Sequence, residues 1–218
     1  MEIKEENKLI GISRPIAKTL AIISIILSLV AIGFLIAFNF AGVFTLFTDS
    51  GTKYENGFTY PGYQAIYAGF GNMIIQGYTE ATFNIWTFLG DVLPVIACIV
   101  SIVILISNFK RRATNKKKAI VEIVTASVLL FGGIILFNCD KLWIENAKHV
   151  TDSYTNYYET YLLPALNGEI LFDTEYFPMY VLIVCAITAI IKYAYAAVLL
   201  FQNYYKKSLD KKAVESIE

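Results

Sequence analysis

Three ionisable side chains, Asp91, Glu122 and Lys192, lie inside long apolar runs. Charges held away from water can neutralise one another, bind or pass on an ion, or orient a polar solute. Lys192 is the most demanding, because it sits about midway along its run, and a cation at bilayer centre costs about 2.5–3.5 kcal/mol on insertion scales. It is therefore expected to face other helices and meet a partner. At ~1.5 Å rise per residue, Glu122 is expected ~12 Å toward one membrane face and Asp91 about as far toward the other. Glutamate has the longer side chain, and a lysine stem bends readily toward the nearer interface. The expected pair is Lys192–Glu122, direct or water-bridged, either fixing helix register or sensing an ion or substrate. In the alternative, Lys192 reaches for the interface and Glu122 meets Lys116 or Lys118. Asp91, about one turn from the surface beside Pro94, is expected to be a solvated or capped polar group.

No other constellation points to catalysis. There is no G-x-x-x-x-G-K-[ST] loop, no H-E-x-x-H and no G-x-S-x-G. Gly69-Phe70-Gly71 continues to Ile74, where a dinucleotide fingerprint wants glycine. His149 is the single histidine, and Cys98, Cys139 and Cys185 fall at different expected depths. The expectation is a non-enzymatic chain with no catalytic, cofactor or metal site.

The elements that must position the three charges follow from composition. Of 218 residues, 56% are hydrophobic and 17% charged, with mean hydropathy +0.56. That charge content is below the roughly 25% of soluble domains, and an integral membrane protein is implied. Eighteen basic and eighteen acidic residues cancel, giving no argument for nucleic acid. Four apolar runs are near the ~20 residues a spanning helix needs. They cover about 19–41, with an apolar tail to Phe47, then 86–106, 119–138 and 179–203. The first run exceeds the ~7–15 residues of a signal-peptide core, so it is expected to be a retained helix. The predicted fold is an all-α membrane protein. It is a single domain over 1–218, a four-transmembrane-helix bundle with a small Tyr-rich extracytoplasmic cap.

Orientation follows from lysine and arginine. The segments 1–18, 107–118 and 204–218 together carry fourteen of the eighteen. The positive-inside rule places these in the cytoplasm, in a multi-pass protein of the cell membrane with both termini inside. The segments at about 45–84 and 139–177 then face outward. In the first, Lys53–Tyr60 reads as a short hairpin, because Asn56-Gly57 suits a type I′ turn. In the second, Leu142–Leu163 reads as a helix, and Tyr154, Tyr157, Tyr158 and Tyr161 recur at three and four to share one face. Such a face is either an interfacial belt with a small core or a recognition surface.

Small and polar residues recur along the spans at the 3-4 spacing of helix interfaces. Span two shows Thr87, Asp91, Pro94, Cys98, Ser101, Leu105 and Asn108. Span three shows Glu122, Ala126, Leu129, Gly133 and Leu136. Span four shows Cys185, Thr188, Lys192, Tyr195, Leu199 and Gln202. In span one Ser24, Ser28, Ala31 and Leu35 fit, Phe38 is expected to interrupt, and Gly33, Ala37 and Ala41 form a separate small-residue face for close helix approach.

Four helices, both termini inside and two outer segments resemble the tetraspan class. The chain departs from the claudin-like pattern, since no cysteine lies between Phe47 and Trp86. Gly62-Tyr63-Gln64-Ala65-Ile66-Tyr67-Ala68-Gly69 is similar to a G-x-x-A-I-[FY]-x-G segment of uncharacterised four-span bacterial proteins. That resemblance covers under a tenth of the chain and implies no activity. Two functions are expected. One is a binding, structural or accessory subunit whose Tyr-rich outer face meets a membrane or envelope protein. The other is a small oligomeric channel or transporter using Lys192, Glu122 and Asp91. The bilayer is the common partner, and further copies of the chain are the other.

Overall fold

The structure is a computed structural model, and it describes residues 2–48, 59–68, 82–107, 115–142 and 170–215. In chain order the elements are α1 (Glu2–Phe38), β1 (Gly42–Thr48), β2 (Thr59–Pro61), α2 (Gly62–Ile66), β3 (Tyr67–Ala68), β4 (Thr82–Phe83), α3 (Ile85–Ser107), α4 (Asn115–Phe137), β5 (Ile170–Thr174) and α5 (Tyr176–Glu215). Four of the helices are long and apolar enough to cross a membrane, over Leu9–Phe38, Ile85–Ser107, Asn115–Phe137 and Tyr176–Leu209.

Burial along these helices is the reverse of a soluble protein. The inward stripes are small or polar: Ser24 and Ser28 on α1, Thr87 and Ser101 on α3, Glu122 and Thr125 on α4, Thr188 and Lys192 on α5. Large aliphatic residues face out, among them Ile26, Leu29, Val103, Val124, Ile134 and Ile190, each more than half exposed. Lipid solvates such an exterior where water would not, and helix association then depends on small and hydrogen-bonding residues. The chain is a multi-pass integral membrane protein built as a four-transmembrane-helix bundle.

The helix ends have local causes. Asn84 precedes α3, and its Oδ1 accepts the backbone N–H of Thr87 at 3.1 Å, the usual role of an N-cap asparagine. α5 opens at Tyr176, two residues before Pro178, since proline is tolerated in a first helical turn. α1 begins at Glu2 and α5 continues to Glu215, so most of the basic residues read as tails are helical. The apolar tail of span one is not helix. α1 stops at Phe38, residues 39–41 turn, and Gly42–Thr48 is a strand. Val43, Phe44, Thr45, Phe47 and Thr48 are β-branched or aromatic types that favour a pleated backbone, and a short apolar run does not by itself separate strand from helix.

The contacts divide into two compact units. One, the lysine-bearing unit, comprises Met1–Ile32, Pro94–Leu130 and Cys185–Glu218; the other, the sheet-bearing unit, comprises Gly33–Leu93 and Phe131–Val184. In the sheet-bearing unit β1 is central in the order β2-β1-β5, antiparallel to both neighbours. The β1–β5 register runs from Phe44 opposite Thr174 to Thr48 opposite Ile170. β3 and β4 form a second antiparallel pair. Thr59 and Tyr60, the described part of the Lys53–Tyr60 hairpin, pair with Thr45 and Phe44 of β1. The Asn56-Gly57 turn lies outside the described residues, as does nearly all of the helix read at Leu142–Leu163.

Two close approaches hold this unit. A Cβ on Gly62 would run into the carbonyl oxygen and ring of Phe38, and one on Gly90 would lie 2.6 Å from Ile135 Cγ2. Only glycine lets the chain pass at either place. The rings of Phe34 and Phe177 stack at 5.9 Å between centroids. Two features of span one differ from expectation. Phe38 is fully buried and continues the inward stripe rather than interrupting it. A Cβ at Gly33 meets nothing within 4 Å, so the Gly33 face makes no close helix approach among the described residues.

Candidate functional site

The lysine-bearing unit brings one side chain from each long helix to a single point. Lys192 of α5 donates to Glu122 Oε2 of α4 at 2.9 Å, to Ser24 Oγ of α1 at 3.0 Å and to Ser101 Oγ of α3 at 2.7 Å. An ammonium has three N–H donors and no acceptor, so these three partners satisfy it completely. The serines return the charge to the carboxylate: Ser101 Oγ donates to Glu122 Oε1 at 2.7 Å, and Ser24 Oγ donates to Glu122 Oε2 at 3.3 Å. The side chains of Lys192 and Glu122 are 0% and 1% exposed. Coulomb attraction is strong where water is excluded, and the two hydroxyls spread the charge of both partners.

The pair forms directly, with no reach of Lys192 for the interface. The ~12 Å offset expected from the spans shrinks because α4 begins at Asn115, which leaves Glu122 only ~6 Å from that helix's midpoint. Side-chain length covers the remainder. Adjacent turns add helix-to-helix bonds. Thr125 Oγ1 donates to the Ala97 carbonyl at 3.3 Å, and Thr188 Oγ1 donates to that of Leu27 at 3.5 Å. Toward the helix termini, Asn115 Nδ2 donates to Gln202 Oε1 at 3.0 Å and Gln202 Nε2 donates to Ser13 Oγ at 3.1 Å.

Asp91 belongs to the sheet-bearing unit. It is 7% exposed, and its Oδ2 accepts from Asn39 Nδ2 at 2.8 Å. The Asn39 amide also donates to the Leu35 carbonyl at 3.3 Å. Asp91 Oδ1 and, one turn earlier on the same helix, Thr87 Oγ1 are buried without a hydrogen-bond partner among the described residues. Asp91 is thus a half-satisfied buried carboxylate rather than a solvated one. Tyr154, Tyr157, Tyr158 and Tyr161 lie outside the described residues.

Ser24, Ser101 and Asn39 are the partners that sequence reasoning did not assign. Ser24 and Ser101 both fall on the inward 3-4 stripes, which was the available signal. It was ambiguous because a helical serine can bond its own chain instead, as Ser28 does by donating to the Ser24 carbonyl at 2.6 Å. In chemical terms the cluster is a closed electrostatic clasp: every polar atom of its four side chains is already engaged. Comparison with protein-family profiles, with curated proteins and with solved structures finds no match in any of the three.

Proposed function

We propose that this chain is a non-enzymatic binding or accessory protein of the cell membrane, a four-helix protein whose two outer segments meet a membrane or envelope partner. The observation that carries this reading is the closed clasp. Lys192, Glu122, Ser24 and Ser101 satisfy one another with no exposed surface, which suits a fixed scaffold and leaves no free group there for a substrate. The β1–β5 pairing supports the second half of the reading, because it joins the start of the first outer segment to the end of the second. The positive-inside rule favours both termini in the cytoplasm, which puts this sheet outside. Two experiments test the proposal. Crosslinking and mass spectrometry in native membranes are expected to find a partner on residues 143–169, and deleting that segment is expected to abolish the crosslink while the bundle stays folded. Cysteines placed at Thr155 and Lys117 are expected to differ, with an impermeant thiol reagent labelling only the first in intact cells; the reverse pattern sinks the orientation.

A second reading, a small channel or transporter, is favoured by one observation, the two buried oxygens of Asp91 and Thr87 that have no partner among the described residues. Buried acceptors left open suit a water or a small cation. It requires ion flux in liposomes that changes with Asp91→Asn. Silence of the wild-type protein in that assay removes it.

A further inference from the structure

We propose that the lysine-bearing unit carries a binding site for a phosphate group at headgroup depth, supplied by an anionic glycerophospholipid. A half-open cavity of about 210 Å³ is lined by Lys18, Lys118, Asn115, Gln202 and Tyr195 over an apolar floor. At roughly 30 Å³ per water, it has room for several waters or for a phosphate with its first ester linkages. Its level is set by the helix ends. Lys118 is three residues after the start of α4 and Leu105, on the floor, two residues before the end of α3. On those two helices the cavity therefore lies at the basic end of the span, the side on which anionic headgroups are met.

The lining chemistry selects an anion. Two ammonium groups repel a cation, and no carboxylate lines the cavity among the described residues. Asn115 and Gln202 each spend one amide N–H on the Asn115–Gln202–Ser13 relay, so each keeps a second donor. The clasp does not neutralise the two lysines. Ala21, Leu105, Lys118 and Tyr195 lie one helical turn, three or four residues, from Ser24, Ser101, Glu122 and Lys192 respectively, all displaced toward the same end. Leu105, Tyr195 and Leu199 of the cavity wall join Ala119 and Ala196 in one buried apolar layer. Glu122 is engaged by Lys192 behind that layer, which leaves Lys18 and Lys118 for a ligand. The apolar floor suits the glycerol and upper acyl region of a lipid, and basic pockets between membrane helices are known to take such headgroups.

The test uses the full chain in detergent, titrated with palmitoyl-oleoyl-phosphatidylglycerol and read by native mass spectrometry. One saturable adduct is expected, not reproduced by the zwitterionic phosphatidylcholine of the same chains. With a membrane-surface lysine contributing about fivefold each, Lys18→Gln/Lys118→Gln is expected to weaken it roughly 30-fold. Lys116→Gln/Lys117→Gln removes the same charge from exposed positions and is expected to leave it within about twofold. Lys18 is itself exposed, so the single Lys18→Gln, expected to cost about fivefold, serves should the double variant fail to fold. In a second arm inorganic phosphate replaces the lipid and thermal unfolding is read. A rise in Tm that Lys18→Gln/Lys118→Gln abolishes, without a lipid adduct, keeps the phosphate site and assigns the free anion as its source. Equal losses in the two double variants, or no saturable binding in either arm, overturn the proposal.

Discussion

At the scale of single residues the clasp is asymmetric in what it tolerates. Removing one charge strands the other in a dry interior, which costs about 3–5 kcal/mol, whereas replacing both by apolar groups is often neutral. Lys192→Met is therefore expected to destabilise the bundle by about that amount in a detergent-unfolding titration, and Lys192→Met/Glu122→Leu to recover most of it. The serines left behind can turn to their own helix carbonyls, as Ser28 already does. Between the serines, Ser101 makes the shorter bonds, 2.7 Å to both Lys192 and Glu122. Ser101→Ala is expected to cost about 1–3 kcal/mol and more than Ser24→Ala. Equal effects would show that the two hydroxyls share the load evenly. The pairing of Lys192 with Glu122 was legible in the sequence because a mid-span lysine has few affordable alternatives. The hydroxyl partners were less so, since serine on a helix always has a local acceptor.

At the scale of elements the inward stripes of the second, third and fourth spans were readable from spacing alone. Each stripe residue from Thr87 to Leu105, Glu122 to Leu136 and Cys185 to Gln202 is buried, and Asn108 lies outside the described residues. The reason is physical: lipid rewards large aliphatic surface, so small and polar positions collect where helices meet. Phe38 was misread because a large ring breaks a small-residue pattern while still fitting an interface beside a glycine, here Gly62. β1 and β5 were hidden for a different reason. Strand pairing links residues more than 120 positions apart, as in Thr48 opposite Ile170, and no local period announces it. The helix-to-helix glycine gives a sharp test. Gly90→Ala places a methyl group against Ile135, so it is expected to destabilise the protein by about 1–3 kcal/mol in the same titration, whereas Gly33→Ala, with open space around it, is expected to stabilise slightly or do nothing.

At the scale of the whole molecule all three cysteines are free and buried, which makes thiol chemistry a gauge of integrity. Cys139 lies just beyond α4, and burial, with a smaller contribution from the neighbouring Asp140 carboxylate, pushes its thiol up to about 12. The native thiol thus stays protonated well past the ordinary value near 8.5, and its share of stability is intact below that value and erodes only as pH climbs toward the native one. Alkylation of Cys139 is expected to stay slow from pH 7 to 9 in the folded protein and to accelerate across that window only after denaturation, which timed maleimide labelling with peptide mapping checks. Fast, pH-dependent labelling of the folded protein would show that this region opens to solvent.

The clasp also has a consequence for biosynthesis. Its members enter the bilayer in the order Ser24, Ser101, Glu122, Lys192, so the ribosome delivers the acid well before the base. Until the final helix arrives, the nascent protein holds an uncompensated carboxyl group among three helices. Any chain that ends before Lys192 keeps that defect for good.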